Sequence, residues 1–268
     1  SAVVFCVVLL VACGSERLAT SPADSPARPL QRVSVDSGGA QGNGPSGEPA
    51  ISGDGRFIAF SSQASNLVDR DTNGNRDIFV HDRETGITQR VSVASDGTQG
   101  DGSSGQPAIS ADGRFVAFFS FAANLVPGDT NGTGDVFLHE LQTGLTRRVS
   151  VSTGGAQGNG FSSTPSISGD GRFIAFESSA SNLVAGDNNN NTDVFVHDRL
   201  EGSTQGAWAN PKQFGNLPGG APKISADGLV VAFAVHLQDW ASDDPRGRSQ
   251  VLVRDFMTGV TAPAGGNP

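Results

Sequence analysis

Three short segments of the sequence carry oxygen-bearing side chains at alternate positions. Carboxylate and amide oxygens are ligands that Ca²⁺ prefers, and alternate side chains of a tight loop can surround such an ion with help from a carbonyl and water. The pattern predicts calcium sites of weak affinity, because each segment has few carboxylates. The predicted ligands are Asp71, Asn73, Asn75 and Asp77, then Asp129, Asn131, Thr133 and Asp135, and then Asp187, Asn189, Asn191 and Asp193.

The same residues permit a second interpretation. Asp and Asn side chains also accept hydrogen bonds from backbone N–H groups in Asx turns, which need no ion. Both interpretations stay open at the level of the sequence. A fourth, divergent copy of the segment places Asp244, Arg246, Arg248 and Gln250 at the aligned positions. Two arginines would repel a cation, so this copy is predicted to bind none.

Histidine offers a further candidate cluster. His81, His139 and His197 occupy one equivalent position, and each precedes an acidic residue. They fall in separate copies of a repeat, so they cannot converge on one metal ion, whose ligands lie near 2 Å. A packed or hydrogen-bonded structural role is predicted. The sequence contains no G-x-S-x-G elbow, H-E-x-x-H motif, phosphate loop or cysteine ligand set that would indicate catalysis.

These segments belong to a repeat of about 58 residues. Ile51, Ile109 and Ile167 are each 58 residues apart, and Ile224 follows 57 residues later. Each copy has short runs rich in β-branched and aromatic residues, separated by Gly, Pro, Asn and Asp. The period and these runs predict an all-β fold, a β-propeller of four-stranded antiparallel blades with four repeats visible.

The recurring segments PAISGDGRFIAFSS, DIFVHDRETG and TQRVSV resemble the WD-repeat-like blades of TolB-type β-propellers. The resemblance covers nearly all of residues 31–261, and residues 31–268 are assigned to the propeller domain. It bears on the fold more than on the activity, because propellers host unrelated functions. Nothing in the sequence resembles the α/β domain that precedes the propeller in TolB, so the partners of TolB are not carried over.

The closure of the ring is a separate question. The fourth copy has no clear fourth strand. The RVSV segment at 32–35 matches a fourth strand of the repeat, but no first, second and third strands precede it. This segment is therefore predicted to complete the fourth blade and close a four-bladed ring. The alternative is a piece of a larger ring of six or eight blades. In both cases antiparallel strands place the two long loops of each copy on one face, where a functional surface is expected.

Residues 1–13 form an apolar segment that is too short to span a bilayer as a helix. The segment is predicted to be a lipoprotein-type signal that lacks its natural start, since Met257 is the only methionine. Its end, LVAC, resembles the lipobox of bacterial lipoproteins, which implies lipidation at Cys13 and an outer-membrane location in the cell envelope. An ordinary cleaved leader is the alternative. Residues 14–30, rich in Pro, Ser and Ala, are predicted to be a flexible linker.

Charge and motifs together narrow the function. The net charge of −9 argues against a nucleic-acid partner. The prediction is a non-catalytic, envelope-anchored binding or scaffold protein whose long-loop face takes a protein, peptide or glycan ligand, with contact to a membrane only through the lipid anchor. The alternative, suggested by the same resemblance, is a propeller enzyme or enzyme module that acts on polysaccharide or peptide. A spacer stiffened by calcium, with no ligand, is a third possibility.

Overall fold

The computed structural model describes residues 30–189, 191–207, 219–236 and 249–264. These ranges form four separate antiparallel sheets, each with its strands in sequential order, and the predicted all-β fold of four blades is confirmed. Blade 1 comprises β1 (Ser46–Ile51), β2 (Phe57–Ser62), β3 (Asp77–Asp82) and β4 (Thr88–Arg90); blade 2 comprises β5 (Ser104–Ile109), β6 (Phe115–Ser120), β7 (Asp135–Glu140) and β8 (Leu145–Arg148); blade 3 comprises β9 (Ser162–Ile167), β10 (Phe173–Ser178), β11 (Asp193–Asp198) and β12 (Ser203–Gly206); and blade 4 comprises β13 (Gly219–Ile224), β14 (Val230–His236), β15 (Ser249–Asp255) and β16 (Val260–Pro263).

The middle two strands of each blade form its apolar centre. In blade 2, Phe118 of β6 is directly opposite Phe137 of β7, and their stacked rings have centroids 6.0 Å apart. Both side chains are fully buried. The neighbouring blades 1 and 3 cover the two faces of β6 and β7. For this reason β6 and β7 contain nearly continuous apolar runs instead of an alternation of polar and apolar residues.

The first strand of each blade lies nearest the axis, since successive first strands contact one another. Each of these strands has a bulge at a non-glycine residue with positive φ, followed by proline. Proline has no N–H to donate to a ladder, so it is tolerated at such an irregularity. The bulge residues are Glu48, Gln106, Thr164 and Ala221, with φ of 51°, 55°, 47° and 51°.

The predicted completion of blade 4 by residues 32–35 is wrong. Blade 4 has its own fourth strand, because β16 pairs with β15. Val35 instead forms a single bridge with Gln41, and its carbonyl accepts a hydrogen bond from Thr88 Oγ1 of blade 1. In the described ranges, substantial packing joins blades 1 and 2, 2 and 3, and 3 and 4, but not blades 4 and 1. The four blades therefore form an arc.

The three equivalent histidines are buried parts of their own blades. His139 Nδ1 lies 2.9 Å from Thr146 Oγ1 on the adjacent strand, and the Thr146 hydroxyl donates to the carbonyl of Val93 in the preceding linker. The same arrangement occurs at His81 and His197. Burial lowers the pKa of His139 to about 4 and also lowers the pKa of the other two. These neutral side chains therefore attach each blade to the segment before it.

The predicted signal segment, including Cys13, and all but the last residue of the predicted linker lie outside the described residues. In the part of the chain that the structure describes, no helix has the length and apolar character needed to cross a membrane.

Candidate functional site

The long loops of blades 1, 2 and 3 are interlocked by asparagine side chains. In blade 1 the Asn66 side chain accepts a hydrogen bond from the Asn43 N–H and donates one to the Gln41 carbonyl. Asn124 and Asn182 make the corresponding bonds in blades 2 and 3. The antiparallel pairing places these loops on one face of the arc and the tight turns on the other. This long-loop face is the expected position of a functional surface.

The first predicted calcium loop forms an Asx turn. Asn73 Oδ1 accepts a hydrogen bond of 2.9 Å from the Asn75 N–H, while Asn73 Nδ2 donates to Asp77 Oδ2 at 3.0 Å. Asp77 is fully buried, and its other oxygen accepts a bond of 2.6 Å from Ser92 Oγ. The amide oxygen of Asn73 therefore bonds the backbone and is not directed at the Asp77 carboxylate.

A buried arginine lies between the two carboxylates of this loop. Arg90 Nη1 is 3.2 Å from Asp71 Oδ1 and 3.5 Å from Asp77 Oδ2. Burial raises the pKa of both carboxyl groups, and the positive charge of Arg90 opposes that rise. The Nε and Nη1 atoms of Arg90 find no acceptor of good hydrogen-bond geometry in the described residues. The arginine therefore acts mainly as a countercharge.

The second loop repeats this arrangement. Thr133 N–H donates to Asn131 Oδ1 in an Asx turn, and Arg148 contacts Asp129 at 3.2 Å and Asp135 at 3.4 Å. The side chain of Gln157 adds hydrogen bonds of 2.9 and 3.0 Å to the same two carboxylates. The countercharge of the loop again comes from the fourth strand of the blade.

The third loop has carboxylates but, among the residues that the structure describes, no arginine beside them. Gly206 pairs with Phe195 where Arg90 and Arg148 pair with the equivalent phenylalanines. Asn189 still donates to Asp193 Oδ2 at 2.8 Å. Burial, with help from the nearby charge of Asp187, raises the pKa of Asp193 to about 7. Burial also raises the pKa of Asp187.

The contacts affect the calcium prediction in one way for the first two loops and in another way for the third. In the first two loops a guanidinium already lies against both carboxylates, so a calcium ion would meet a like charge. In the third loop the described residues place no such partner beside the two acids. Within the described ranges, no three His, Cys, Asp or Glu side chains are grouped closely enough to hold a metal ion. Calcium stays a prediction, and Asp244, Arg246 and Arg248 of the fourth copy lie outside the described residues.

A cluster of three phenylalanines lies on the long-loop face between blades 2 and 3. We define it as the phenylalanine cluster, Phe119, Phe121 and Phe161. The ring centroid of Phe119 is 4.8 Å from that of Phe121 and 5.3 Å from that of Phe161. Phe121 is 55% exposed and Phe161 is 39% exposed. The cluster presents apolar surface to solvent on the face where the loops are most elaborate.

Polar groups surround a concavity of about 330 Å³ beside this cluster. Its lining includes Phe119, Phe121, Glu48, Gln106 and Arg76. The Glu48 carboxylate accepts a bond of 2.9 Å from the Gln106 N–H, so adjacent first strands are joined at their bulges. The concavity therefore combines apolar rings, a carboxylate, an amide and an exposed guanidinium close to the axis.

The sequence interpretation missed the phenylalanine cluster. The signal was present, because the cluster departs from the repeat. Blade 1 has Ser61 and Gln63 where blade 2 has Phe119 and Phe121, and blade 3 has Glu177 and Ser179. An apolar residue at a position that is polar in sister repeats is not required by the fold. Such departures are where a repeat protein acquires individual surface chemistry.

Comparison with known proteins agrees with this architecture. Neither a protein-family profile nor a curated protein matches the sequence. Solved structures do match: the chain superposes on TolB from Acinetobacter baumannii with a TM-score of 0.50 and 19% identity, over 82% of this chain and 43% of that one. For a putative TolB from Agrobacterium tumefaciens the TM-score is 0.52 and the identity 18%, over 81% and 63% of the two chains. The fold is a TolB-like β-propeller.

The matches describe the fold and do not specify the activity. This TolB-like propeller also superposes on the β-propeller domain of the Trilobed protease from Pyrococcus furiosus, with a TM-score of 0.50 and 11% identity over 84% of this chain and 58% of that one. The chain spans less than two thirds of the length of these three structures. TolB structures and a propeller domain of a protease therefore share its architecture.

Proposed function

We propose that this propeller is a non-catalytic binding or scaffold protein that uses its long-loop face to hold a ligand. The observation that carries the proposal is the exposed phenylalanine cluster. Exposing apolar surface costs about 25 cal/mol per Å², and contiguous exposed apolar patches on soluble proteins often mark interaction sites. Blades 1 and 3 have polar residues at the positions of Phe119 and Phe121, so the fold does not require these two rings.

The ring geometry favours a peptide or protein ligand over a glycan. Phe119 and Phe121 are inclined at 80°, and Phe121 and Phe161 at 44°. Rings inclined in this way form an uneven apolar surface, whereas the flat face of a sugar ring is best matched by a flat aromatic surface. Glu48 and Arg76 at the neighbouring concavity add one negative and one positive group that can orient a peptide.

A binding selection tests the proposal. A displayed library of random peptides is selected against the chain, and the recovered peptides are titrated against a Phe121→Ser/Phe161→Ser variant. We expect the double variant to weaken binding at least tenfold, because it removes the apolar contact. The matched control is Leu200→Ser, since Leu200 is 64% exposed in a tight turn on the opposite face.

The same variants are applied to a glycan array to test the other ligand class. Glycan binding that depends on the phenylalanine cluster would show that the ligand is a sugar and not a peptide. The proposal is overturned if neither peptides nor glycans bind in a manner that depends on the phenylalanines. Hydrolysis or cleavage of either probe by the intact chain would favour the enzyme alternative.

The proposal also covers the cellular location of the protein and its calcium ions. A cell-envelope location, with lipid attached at Cys13 as the only membrane contact, would present the long-loop face to extracytoplasmic ligands. Cys13 lies outside the described residues, so lipidation stays a prediction that rests on the LVAC segment. Calcium, if bound, would stabilise loops of the same face.

A further inference from the structure

One position of the repeat is occupied by a different kind of residue in each of blades 1, 2 and 3. Blade 1 has Arg76, blade 2 has Gly134 and blade 3 has Thr192, each directly before the first residue of the third strand. In blade 1 the carbonyl of Arg76 accepts a hydrogen bond of 2.7 Å from the Ser104 N–H. In blade 2 the carbonyl of Gly134 accepts one of 2.9 Å from the Ser162 N–H. The backbone of this position therefore has the same role in both blades, and the side chain can differ without a change in the fold.

In blade 2 the absence of a side chain at this position makes room for the phenylalanine cluster. A Cβ added to Gly134 would lie 2.9 Å from Cζ of Phe119 and 3.0 Å from Cε2 of Phe161. Carbon atoms in contact are normally about 3.5 to 4 Å apart, so a side chain here would displace the rings. The backbone itself does not require glycine, because Gly134 does not have a positive φ. The phenylalanine cluster therefore depends on Gly134 as well as on its three rings.

In blade 1 the same position places a guanidinium in the concavity beside the cluster. Arg76 lines that concavity together with Phe119 and Phe121. Its side chain is exposed, and among the described residues its guanidinium has no hydrogen-bond or ion-pair partner. The equivalent residues of blades 2 and 3 are uncharged. The guanidinium is therefore a positive charge that the fold does not use.

The carboxylate of the concavity, by contrast, already has a structural partner. Glu48 Oε2 accepts a hydrogen bond of 2.9 Å from the Gln106 N–H. Between blades 2 and 3, the side-chain oxygen of Gln106 accepts the corresponding bond of 2.8 Å from the Thr164 N–H. A neutral amide thus does in one pair of blades what the carboxylate does in the other. The charged group of the concavity that is left for a ligand is therefore Arg76.

We propose that the ligand of the long-loop face is a peptide in which an acidic side chain neighbours an aromatic or aliphatic one. The carboxylate pairs with Arg76, and the apolar side chain packs on the phenylalanine cluster. A guanidinium presents parallel N–H donors that match the two oxygens of a carboxylate. The inference rests on the proposed binding function and adds the chemistry of the ligand to it.

The net charge of −9 does not exclude an acidic ligand. Charges are screened over about 8 Å at physiological ionic strength, so the groups at the contact matter more than the total charge. The loop that contains Arg76 also contains Asp71 and Asp77, but both carboxylates are buried against Arg90. An acidic side chain in the concavity therefore meets the guanidinium of Arg76 at closer range than these carboxylates.

The carboxylate is assigned to a side chain and not to the end of a peptide. Proteins that capture a terminal carboxylate commonly do so with a group of backbone N–H donors. At the concavity, the N–H of Ser104 is bonded to the carbonyl of Arg76, and the N–H of Gln106 is bonded to Glu48. These backbone donors are already engaged, so the side chain of Arg76 is the donor group that a ligand reaches.

Peptides recovered from the displayed library provide the probes for a test. We expect Asp or Glu within two positions of an aromatic or aliphatic residue more often than in the unselected library. The tightest such peptide is synthesised with an amidated C-terminus in three forms, which have Glu, Gln or Lys at the acidic position. Each form is titrated against the wild type and against Arg76→Thr, which introduces the residue of blade 3.

The Gln form should bind the wild type about fivefold more weakly than the Glu form, as for an exposed ion pair at the upper end of its usual strength. Arg76→Thr should weaken binding of the Glu form by the same factor and leave binding of the Gln form unchanged. Such non-additivity indicates that the two groups contact each other. Arg76→Glu should reverse the order, so that the Lys form binds more tightly than the Glu form.

Two further variants separate the rings from the charge. Gly134→Thr should weaken binding of all three forms, because it displaces the rings and leaves Arg76 in place. The matched control is Arg147→Gln, which removes an exposed arginine from β8 and introduces the residue that blades 1 and 3 have as Gln89 and Gln205. This control should change none of the affinities.

The outcomes distinguish this inference from the proposed function. Recovered peptides without an excess of acidic residues, or a Gln form that binds as tightly as the Glu form, would overturn the inference; the proposed function would stand if Phe121→Ser/Phe161→Ser still weakens binding. Binding that needs a free C-terminal carboxylate would overturn the assignment to a side chain. A preference of the wild type for the Lys form, lost in Glu48→Gln, would assign the contact to Glu48 instead. Failure of every peptide to bind would overturn both proposals.

Discussion

At the scale of single residues, burial separates phenylalanines of the core from those of the surface. Phe118 is fully buried beside Phe137, whereas Phe121 is 55% exposed three positions further along the chain. The first belongs to a blade centre that recurs in blades 1 and 3, and the second to the phenylalanine cluster, which does not recur. Similar side chains therefore serve the fold at one position and a surface at the other.

Phe118→Ala is expected to lower the free energy of unfolding by about 3 to 5 kcal/mol, because it leaves a cavity in a packed centre. Phe121→Ala, the matched control, should change it by less than about 1 kcal/mol. Denaturant unfolding of both variants measures the difference. Equal losses would contradict the placement of Phe121 at the surface.

The buried histidines make stability depend on pH. The pKa of His139 is lowered to about 4 by burial, whereas an unfolded chain titrates near 6.5. Between these values the unfolded state binds a proton that the folded state does not, so this contribution is fully present above about pH 6.5 and is lost as pH falls toward 4. At pH 5, His139 alone should lower the free energy of unfolding by about 2 kcal/mol.

Denaturant unfolding at pH 7.5 and pH 5 measures this effect for the wild type and for His139→Gln. The variant removes the titrating group and keeps an amide that can bond Thr146, so its stability should fall less between the two pH values. The other titrating groups, including His81, His197 and Asp193, are present in both proteins and affect both alike. Identical pH dependence in the two would show that His139 is protonated in the folded state.

At the scale of elements, the fourth strand decides what the acidic loops can hold. Arg90 and Arg148 project from β4 and β8 onto the carboxylates of their loops, and β12 has Gly206 at that position. On these contacts we expect one calcium ion, at Asp187 and Asp193, where the sequence pattern alone predicts three. A dissociation constant of about 0.1 mM and about 1 mM calcium would stabilise the fold by roughly 1.4 kcal/mol.

Gly206→Arg tests this expectation, because it introduces into blade 3 the guanidinium that the other two blades have. The variant should lose the rise in melting temperature that calcium produces, and in calcium-free buffer it should melt higher than the wild type. Calorimetric titration and thermal melting, each with and without a chelator, provide the measurements.

Gly206→Gln is the matched control, since it adds a side chain without the charge and should keep the calcium response. Three ions per chain would contradict the role of Arg90 and Arg148 as countercharges. No binding at millimolar calcium would leave the Asx turns as the complete account of these loops.

At the scale of the whole molecule, the arc is a series of equivalent interfaces. In such repeat arrays, stability is approximately the sum of blade terms and nearest-neighbour terms. Blades 2 and 3 have a neighbour on both sides, whereas blades 1 and 4 each have one in the described ranges. Ile51 of blade 1 and Val251 of blade 4 are exposed in the described ranges, whereas Ile109 and Ile78 at equivalent positions are buried between blades.

The sequence alone determined the all-β class and the four copies of a four-stranded blade, because a fixed period and apolar runs between turn residues are local properties. It also placed the acidic loops and the equivalent histidines correctly within each copy. It did not identify the fourth strand of blade 4, Val260–Pro263, whose sequence departs from the repeat. Three features needed the tertiary structure. The countercharge of Arg90 depends on a strand that pairs across the blade, the phenylalanine cluster depends on rings from two blades meeting, and the exposure of Val251 depends on which blade comes next. Contacts between residues distant in the chain have no local signature, and for that reason only the folded arrangement of the blades decided them.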